Sequence, residues 1–259
     1  MIAFDWVFFA VGIPAIIFGG IAKGGFGSGA AFVAGAILAL VVPPGLALGI
    51  ILPLFMLVDA ATFMLVDAAT LRPYWGQWHW PSAKGIMQGA VPGCIIGAML
   101  YALVDADVFR LLIGAICLAF AAFQLARALG WLMVRQMPFS RNFAWVAGLV
   151  GGFTSFISHA GGPPTAIFLL SQGLGKTAFQ ATTVLSFWAI NWMKVVPYAY
   201  LGIFSLETLK ASAVLAPFAL IGAWIGVRAH RLVPERAFFA LTYVLLVATG
   251  LRLIWVALA

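Results

Sequence analysis

The stretch Gly19-Gly20-Ile21-Ala22-Lys23-Gly24-Gly25-Phe26-Gly27-Ser28-Gly29 interrupts the first apolar segment of the chain. A second interruption reads Gly151-Gly152-Phe153-Thr154-Ser155-Phe156-Ile157-Ser158-His159-Ala160-Gly161-Gly162-Pro163-Pro164-Thr165. Each lies near the start of one half of the chain, with apolar sequence on both sides. Irregular backbone is costly in lipid, so it persists only where protein buries it or where it lines a cavity. A matched pair of breaks therefore indicates a binding site between repeated halves.

The composition is that of a membrane protein. The 259 residues are 64% hydrophobic and 8% charged, with a mean hydropathy of +1.12. A soluble domain carries about 25% charged residues, and several apolar stretches here approach or exceed the ~20 residues that cross a bilayer. The formal charge of +7 fits basic residues in short loops, so we expect a lipid bilayer and no nucleic acid as a partner. The sequence predicts an all-α polytopic membrane protein.

About eight hydrophobic segments are predicted, two of them broken, at 4–42 and 143–172. The unbroken segments run over 45–70, 83–103, 107–129, 179–203, 207–229 and 235–258. We expect a single integral membrane domain built from two transmembrane repeats, 1–130 and 141–259. Each repeat would contain a broken or re-entrant helix pair and three spanning helices.

The basic residues indicate that the repeats are inverted. If each broken stretch enters and leaves on the same side, each half crosses three times and nine basic residues face the cytoplasm. These are Arg72, Lys84, Arg127, Arg135, Arg141, Lys176, Arg228, Arg231 and Arg236. Only Arg110, Lys210 and Arg252 then lie outside, as does the C-terminus. The first stretch is also long enough for two full crossings, which would give the same sidedness.

The first break contains the candidate Lys23. A lysine at bilayer depth costs ~3 kcal/mol and usually has a function; the alternative is a lysine on a water-exposed loop. Backbone N–H groups of Gly24, Gly25 and Gly27 would converge on an anion at the start of the following helix. Ser28 would add a hydrogen bond.

The second break offers different groups for the same purpose. Gly161 and Gly162 precede a predicted helix start, beside the hydroxyl donors Ser158 and Thr165. His159 would donate to an oxyanion or carry a proton near neutral pH, and it is a coupling candidate. The alternative is a histidine that only holds the break through a backbone hydrogen bond.

Two further polar residues share a helix face in the segment 179–203. Asn191 and Lys194 are three residues apart. Lys194 needs a partner from elsewhere, either a bound anion or Asp59, which is the other coupling candidate. A structural Asp59–Lys194 pair is the alternative for both. Asp67 lies in an eight-residue local repeat of the Asp59 sequence, and its role stays open.

The excess of positive groups favours an anionic substrate, and the chain resembles the TauE/SafE sulfite-exporter-like membrane permeases. The resemblance rests on Gly-Gly-x-x-Lys-Gly-Gly-x-Gly at 19–27 and Ser-His-x-Gly-Gly-Pro-Pro at 158–164. Leu-Pro-x5-Asp at 52–59 and Asn-x-x-Lys at 191–194 also match. The resemblance implies export of sulfite or of an organosulfonate such as sulfoacetate.

We therefore expect a secondary transporter of the inner membrane that binds a small sulfur-containing anion between the breaks. It would work by alternating access driven by an ion gradient or by the membrane potential. No Gly-x4-Gly-Lys-Ser/Thr motif is present, and we expect no cofactor, no metal and no catalytic residue. An anion channel remains an alternative, as does a membrane-embedded enzyme using Ser155 or Ser158 with His159. The oligomeric state stays open, a homodimer included.

Overall fold

The computed structural model describes residues 2, 4–25, 30–70, 76–132, 135–229 and 235–259. These residues form ten α-helices, and no β-strand occurs among them. The helices are α1 Trp6–Gly25, α2 Val33–Leu38, α3 Pro44–Thr70, α4 Trp80–Leu103, α5 Ala106–Ala128, α6 Arg141–Ser158, α7 Gly162–Ser171, α8 Lys176–Tyr200, α9 Leu206–Ala229 and α10 Glu235–Leu258.

The prediction of an all-α polytopic membrane protein is confirmed. Within the described ranges, six helices (α1, α3, α4, α5, α9 and α10) are long and apolar enough to cross a membrane. The six unbroken segments predicted from hydropathy correspond to α3, α4, α5, α8, α9 and α10. Each broken segment contains two helices, so the expected eight segments become ten helices.

The first broken stretch is a helical hairpin of α1 and α2. Leu38 lies against Gly12 and Ala34 lies against Gly19, so α2 runs back along α1. The 20 residues of α1 give it a length of roughly 30 Å, enough to cross the hydrocarbon core. The six residues of α2 are too few to cross it. The returning arm is therefore a short helix flanked by turns, and it does not make a second full helical crossing.

The second broken stretch is a matching hairpin of α6 and α7. Gly151 lies against Thr165, and Met137 N–H donates to the Ser171 carbonyl at 2.9 Å, which makes the two helices antiparallel. His159 ends α6 in the left-handed conformation, with φ of 57°. The reversal between the helices is only three residues long, and α7 begins with Gly162 followed by two prolines.

The closest helix contacts occur between the two halves. In these interfaces α1 runs parallel to α9, and α4 runs parallel to α6, because residue numbers rise together along both helices. The pairs are Gly20 with Ala223, Gly25 with Gly226, Gly85 with Ala144, and Gly97 with Phe156. The small residues allow the backbones to touch, as at other helix interfaces in membranes.

The position of single contacts along each helix indicates the direction of the other long helices. α3 runs parallel to α1 and α8 runs parallel to α4, whereas α4 runs antiparallel to α3 and α10 runs antiparallel to α1. The pairs are Lys23 with Asp59, His79 with Thr182, Gly45 with Tyr101, and Phe18 with Phe238. The helices of the second half thus follow the order of the first half in the opposite direction.

Each half of the chain contributes one helix that packs with the other half. α9 packs on α1 and α3, and α4 packs on α6 and α8, while α5 and α10 pack on each other. We call α1, α2, α3 and α9 the first bundle, and α4, α6, α7 and α8 the second bundle. The first bundle contains the first hairpin, and the second bundle contains the second hairpin.

Candidate functional site

Lys23 and Asp59 form a buried ion pair within the first bundle. The Lys23 Nζ atom lies 2.6 Å from Asp59 Oδ1, and the two side chains are 5% and 8% exposed. The ammonium also lies over the ring of Phe55, 4.8 Å from its centroid. Lys23 is therefore not on a water-exposed loop. The second carboxylate oxygen of Asp59 accepts a hydrogen bond from Asn191 Nδ2 at 3.1 Å, which joins the two bundles.

Lys194 lies within the second bundle and is completely buried. Its Nζ atom donates to the Ser155 carbonyl at 3.2 Å, to Ser155 Oγ at 3.0 Å and to His159 Nδ1 at 2.9 Å. These contacts use all three donors of an ammonium group. No carboxylate lies within 4.0 Å of the Lys194 Nζ atom in the part of the chain that the structure describes. The alternative Asp59–Lys194 pair is not formed, because Asp59 pairs with Lys23.

The Nε2 atom of His159 lacks a well-formed hydrogen bond to any of the described residues. Since Lys194 donates to Nδ1, the hydrogen of the neutral imidazole is assigned to Nε2. Nε2 is buried and has no hydrogen-bond partner among the described residues. The backbone of Leu48 lies near the ring without meeting hydrogen-bond geometry. The ring packs edge-on against Phe55, with centroids 5.4 Å apart. Its Cδ2 atom, which is bonded to Nε2, lies 3.9 Å from the Cβ position of Gly35 in α2, so this donor lies on the side of the first bundle. Buried polar groups are normally paired, which makes this one a candidate ligand contact.

The predicted hydroxyl donors of the second hairpin bond to their own backbone. Ser158 Oγ donates to the Thr154 carbonyl at 3.2 Å. Thr165 Oγ1 lies 2.9 Å from the Gly161 carbonyl and 3.0 Å from the Gly162 carbonyl. Both hydroxyl hydrogens therefore have partners, and an anion would have to compete for them. Gly161 and Gly162 lie at the reversal and at the start of α7, as their spacing predicted.

The glycines of the first break have a packing role. Gly24 and Gly25 belong to the last turn of α1. A Cβ atom on them would lie 2.5 Å and 2.2 Å from carbonyl oxygens of α9. Their N–H groups lie within a helix, not on an open loop. Gly27 and Ser28 lie outside the described residues.

Three neighbours of these residues were not predicted to bind the substrate, although Ser155 was considered in the alternative of a membrane-embedded enzyme. Ser155 and Tyr198 each lie within one helical turn of a predicted residue, as does Phe55. Tyr198 O–H donates to the Phe156 carbonyl at 2.8 Å, near the end of α6. The spacing of four residues from His159, Lys194 and Asp59 respectively is the sequence signal that would have found them.

The geometry does not assemble a serine–histidine pair. Ser158 Oγ donates to Thr154, and Ser155 Oγ accepts from Lys194. The Nδ1 atom of His159 is occupied by Lys194, and its Nε2 atom contacts neither hydroxyl by hydrogen bond. The arrangement therefore lacks the contact that a general base needs to activate a nucleophile.

A cavity of about 270 Å³ lies away from this cluster. It is at the end of the molecule where α3 and α5 begin and α4 ends. Its walls are formed by Pro43, Pro44, Gly45, Leu46, Tyr101, Val104, Asp105, Ala106, Phe109, Gly202 and Ile203. None of the predicted site residues lines it.

The buried cluster lies where the two hairpins meet, and each bundle contributes to it. The first bundle supplies Lys23 and Asp59, and the second supplies Asn191, Lys194 and His159. It contains two buried lysines, one acid and an unused N–H donor. Such an arrangement can bind an anion.

The comparisons with known proteins agree with the site's chemistry. A family model described as "Sulfite exporter TauE/SafE" matches residues 12–253. No curated protein and no solved structure is similar enough to match. The family match covers the first hairpin from residue 12, the whole second hairpin and every residue of the buried cluster. The chain belongs to the TauE/SafE family of sulfite exporters.

Proposed function

We propose that the protein exports a small sulfur-containing anion, sulfite or an organosulfonate such as sulfoacetate, across the inner membrane. Membership of a transporter family supports the transport of sulfur anions. Ten helices, six of them apolar enough to span, support a multi-pass membrane protein. The site residues would be those of the two hairpins together with Asn191 and Lys194.

A single observation carries the proposal. Lys194 is fully buried and has only neutral partners among the described residues. Taking an ammonium out of water costs several kcal/mol unless an opposite charge compensates it. A protein that keeps this lysine in a membrane interior gains stability when an anion binds beside it. The neighbouring N–H donor of His159 then finds the acceptor that it otherwise lacks.

The exchange of helices supports alternating access. Site residues lie on both bundles, so a rocking motion between the bundles would open the site to one side and then to the other. Segments 1–130 and 141–259 would be the two inverted repeats, with the C-terminus outside. His159 and Asp59 stay the candidates for coupling to an ion gradient, because both lie at the contact between the bundles.

Counterflow in proteoliposomes tests this function. Vesicles preloaded with unlabelled sulfoacetate are diluted into a trace of labelled sulfoacetate, and the experiment is repeated with sulfite. A carrier accumulates label transiently above the outside concentration. An anion channel only equilibrates it, and that result would establish the alternative of a channel. No uptake of either anion, by protein that is folded and correctly inserted, would contradict the proposal.

A matched pair of variants links the uptake to the site. Lys194→Met removes the buried charge with little change in volume and should abolish counterflow. Lys210→Met makes the same substitution at an exposed position of α9 and should leave it intact. Equal activity of both variants would show that the buried cluster is not the substrate site.

A further inference from the structure

We infer that the buried cluster selects a singly charged sulfur oxyacid group, such as a sulfonate or hydrogensulfite, and rejects doubly charged sulfite, sulfate and thiosulfate. This inference rests on the proposed function and narrows its substrate class. The argument begins with the charges that the cluster contains.

Among the described residues, the buried acidic and basic side chains are Lys23, Asp59, His159 and Lys194. The Lys23–Asp59 pair is neutral as a unit, with 2.6 Å between its charged atoms. His159 is neutral because its Nδ1 atom accepts from Lys194. The charge of Lys194 is therefore the one positive charge that is not compensated.

The charge of Lys194 reaches a ligand through His159. All three donors of its ammonium already bond to Ser155 and His159. The imidazole accepts from Lys194 at one nitrogen and presents an unpaired N–H at the other. A donor polarised by a cation on its far side forms a stronger hydrogen bond with an anion. We therefore expect an S–O⁻ oxygen to bind at His159 Nε2, with Lys194 supplying the compensating charge from behind.

One charge on the bound sulfur group leaves the cluster neutral, and two leave a buried negative charge without a partner. Sulfoacetate meets this count only if its sulfonate alone enters the cluster and its carboxylate stays outside. A buried negative charge without a partner costs more free energy than the neutral complex with a singly charged ligand, and so does Lys194 without a ligand. Lys23 adds no positive charge for a ligand as long as its ion pair with Asp59 stays intact. The ion pair thus sets the number of charges that the site accepts.

Three probes of similar size separate charge from shape. Methanesulfonate, sulfate and dimethyl sulfone all place oxygens on a tetrahedral sulfur, with charges of minus one, minus two and zero. Their binding to the purified full-length protein is measured by isothermal titration calorimetry at pH 7. We expect methanesulfonate to bind about tenfold or more tightly than either of the others.

Variants that change the charge should move this preference in opposite directions. Asp59→Asn leaves both lysines charged, and the ratio of sulfate affinity to methanesulfonate affinity should rise about tenfold or more. Lys194→Met removes the free charge, so methanesulfonate should lose its advantage over dimethyl sulfone. His159→Phe keeps a ring but loses the donor, and it should weaken all three probes without reversing their order. Lys210→Met is the control at an exposed position and should change nothing.

The outcomes separate the inference from the proposed function. If sulfate binds the wild type as well as methanesulfonate does, the inference is overturned while a sulfur-anion carrier remains. If none of the three probes binds and counterflow is also absent, the proposed function fails. An unchanged affinity ratio in folded Asp59→Asn also overturns the inference. The wild-type comparison decides the question even if Lys194→Met does not fold.

Discussion

At the scale of the residue, the ion pair of Lys23 and Asp59 makes each partner depend on the other. Removing one partner of a buried pair leaves an uncompensated charge and costs about 3–5 kcal/mol. Lys23→Ala is therefore expected to destabilise the protein as well as to disturb its site. The double variant with Asp59→Ala removes both charges and should be more stable than Lys23→Ala alone. Thermal unfolding in detergent, followed by tryptophan fluorescence, measures both.

The control for this cycle is Lys84→Ala, at an exposed position of α4. Its effect should stay within about 0.5 kcal/mol. If the two single substitutions add up in the double variant, the charges do not depend on each other and the pair is not formed in the membrane.

The sequence identified the residues of this cluster but not their partners. A charged residue inside an apolar segment is conspicuous, so Lys23, Asp59 and Lys194 could be found from the sequence alone. The choice of partner depends on how the helices pack, and nothing in the local spacing distinguishes Lys23 from Lys194 as the partner of Asp59. The same limit hid the contact between Ser155 and Lys194, because the two residues lie on different helices.

At the scale of the element, the contact between α4 and α6 depends on glycines that let the backbones touch. A Cβ atom on Gly89 would lie 1.9 Å from the Trp145 carbonyl oxygen, and no flexible side chain can relieve that clash. Gly89→Ala should therefore destabilise the protein by about 1–3 kcal/mol. Gly175 precedes α8 with nothing within 4 Å of its Cβ position and serves as the control. Thermal unfolding of the two alanine variants compares them, and equal values would contradict a tight α4–α6 interface.

The long helices were predictable because each has an apolar run bounded by polar residues. The hairpins were predictable only as breaks. Hydropathy does not separate a six-residue helix such as α2 from the turns around it, since both are apolar. The role of Gly24 and Gly25 could also not be deduced from the sequence. A glycine whose N–H group binds an anion and a glycine that allows a neighbouring helix to pack closely look the same in a sequence.

At the scale of the whole molecule, the inverted directions of the halves predict the sidedness of every loop. In a background without cysteine, Ala259→Cys should react with an impermeant thiol reagent added from outside, and Met137→Cys should not. Both positions are exposed in the structure, so burial does not protect either from the reagent. Labelling at position 137 without labelling at 259 would show that the protein has the opposite orientation in the membrane.

The exchange of α4 and α9 predicts which parts move together. If the two bundles rock as units, a cross-link between them should stop transport, and one within a bundle should not. Gly45 of the first bundle lies against Tyr101 of the second bundle. His79, the residue before α4, instead contacts Thr182 of α8, so this contact lies within the second bundle. With Cys94 and Cys117 replaced by alanine, each pair is changed to cysteines and joined by a reducible bifunctional thiol reagent.

We expect the 45–101 link to abolish counterflow until it is reduced, and the 79–182 link to leave counterflow unchanged. Transport that survives the 45–101 link would mean that the bundles do not move against each other, because an alternating-access carrier cannot turn over with its two moving units tied together at one end.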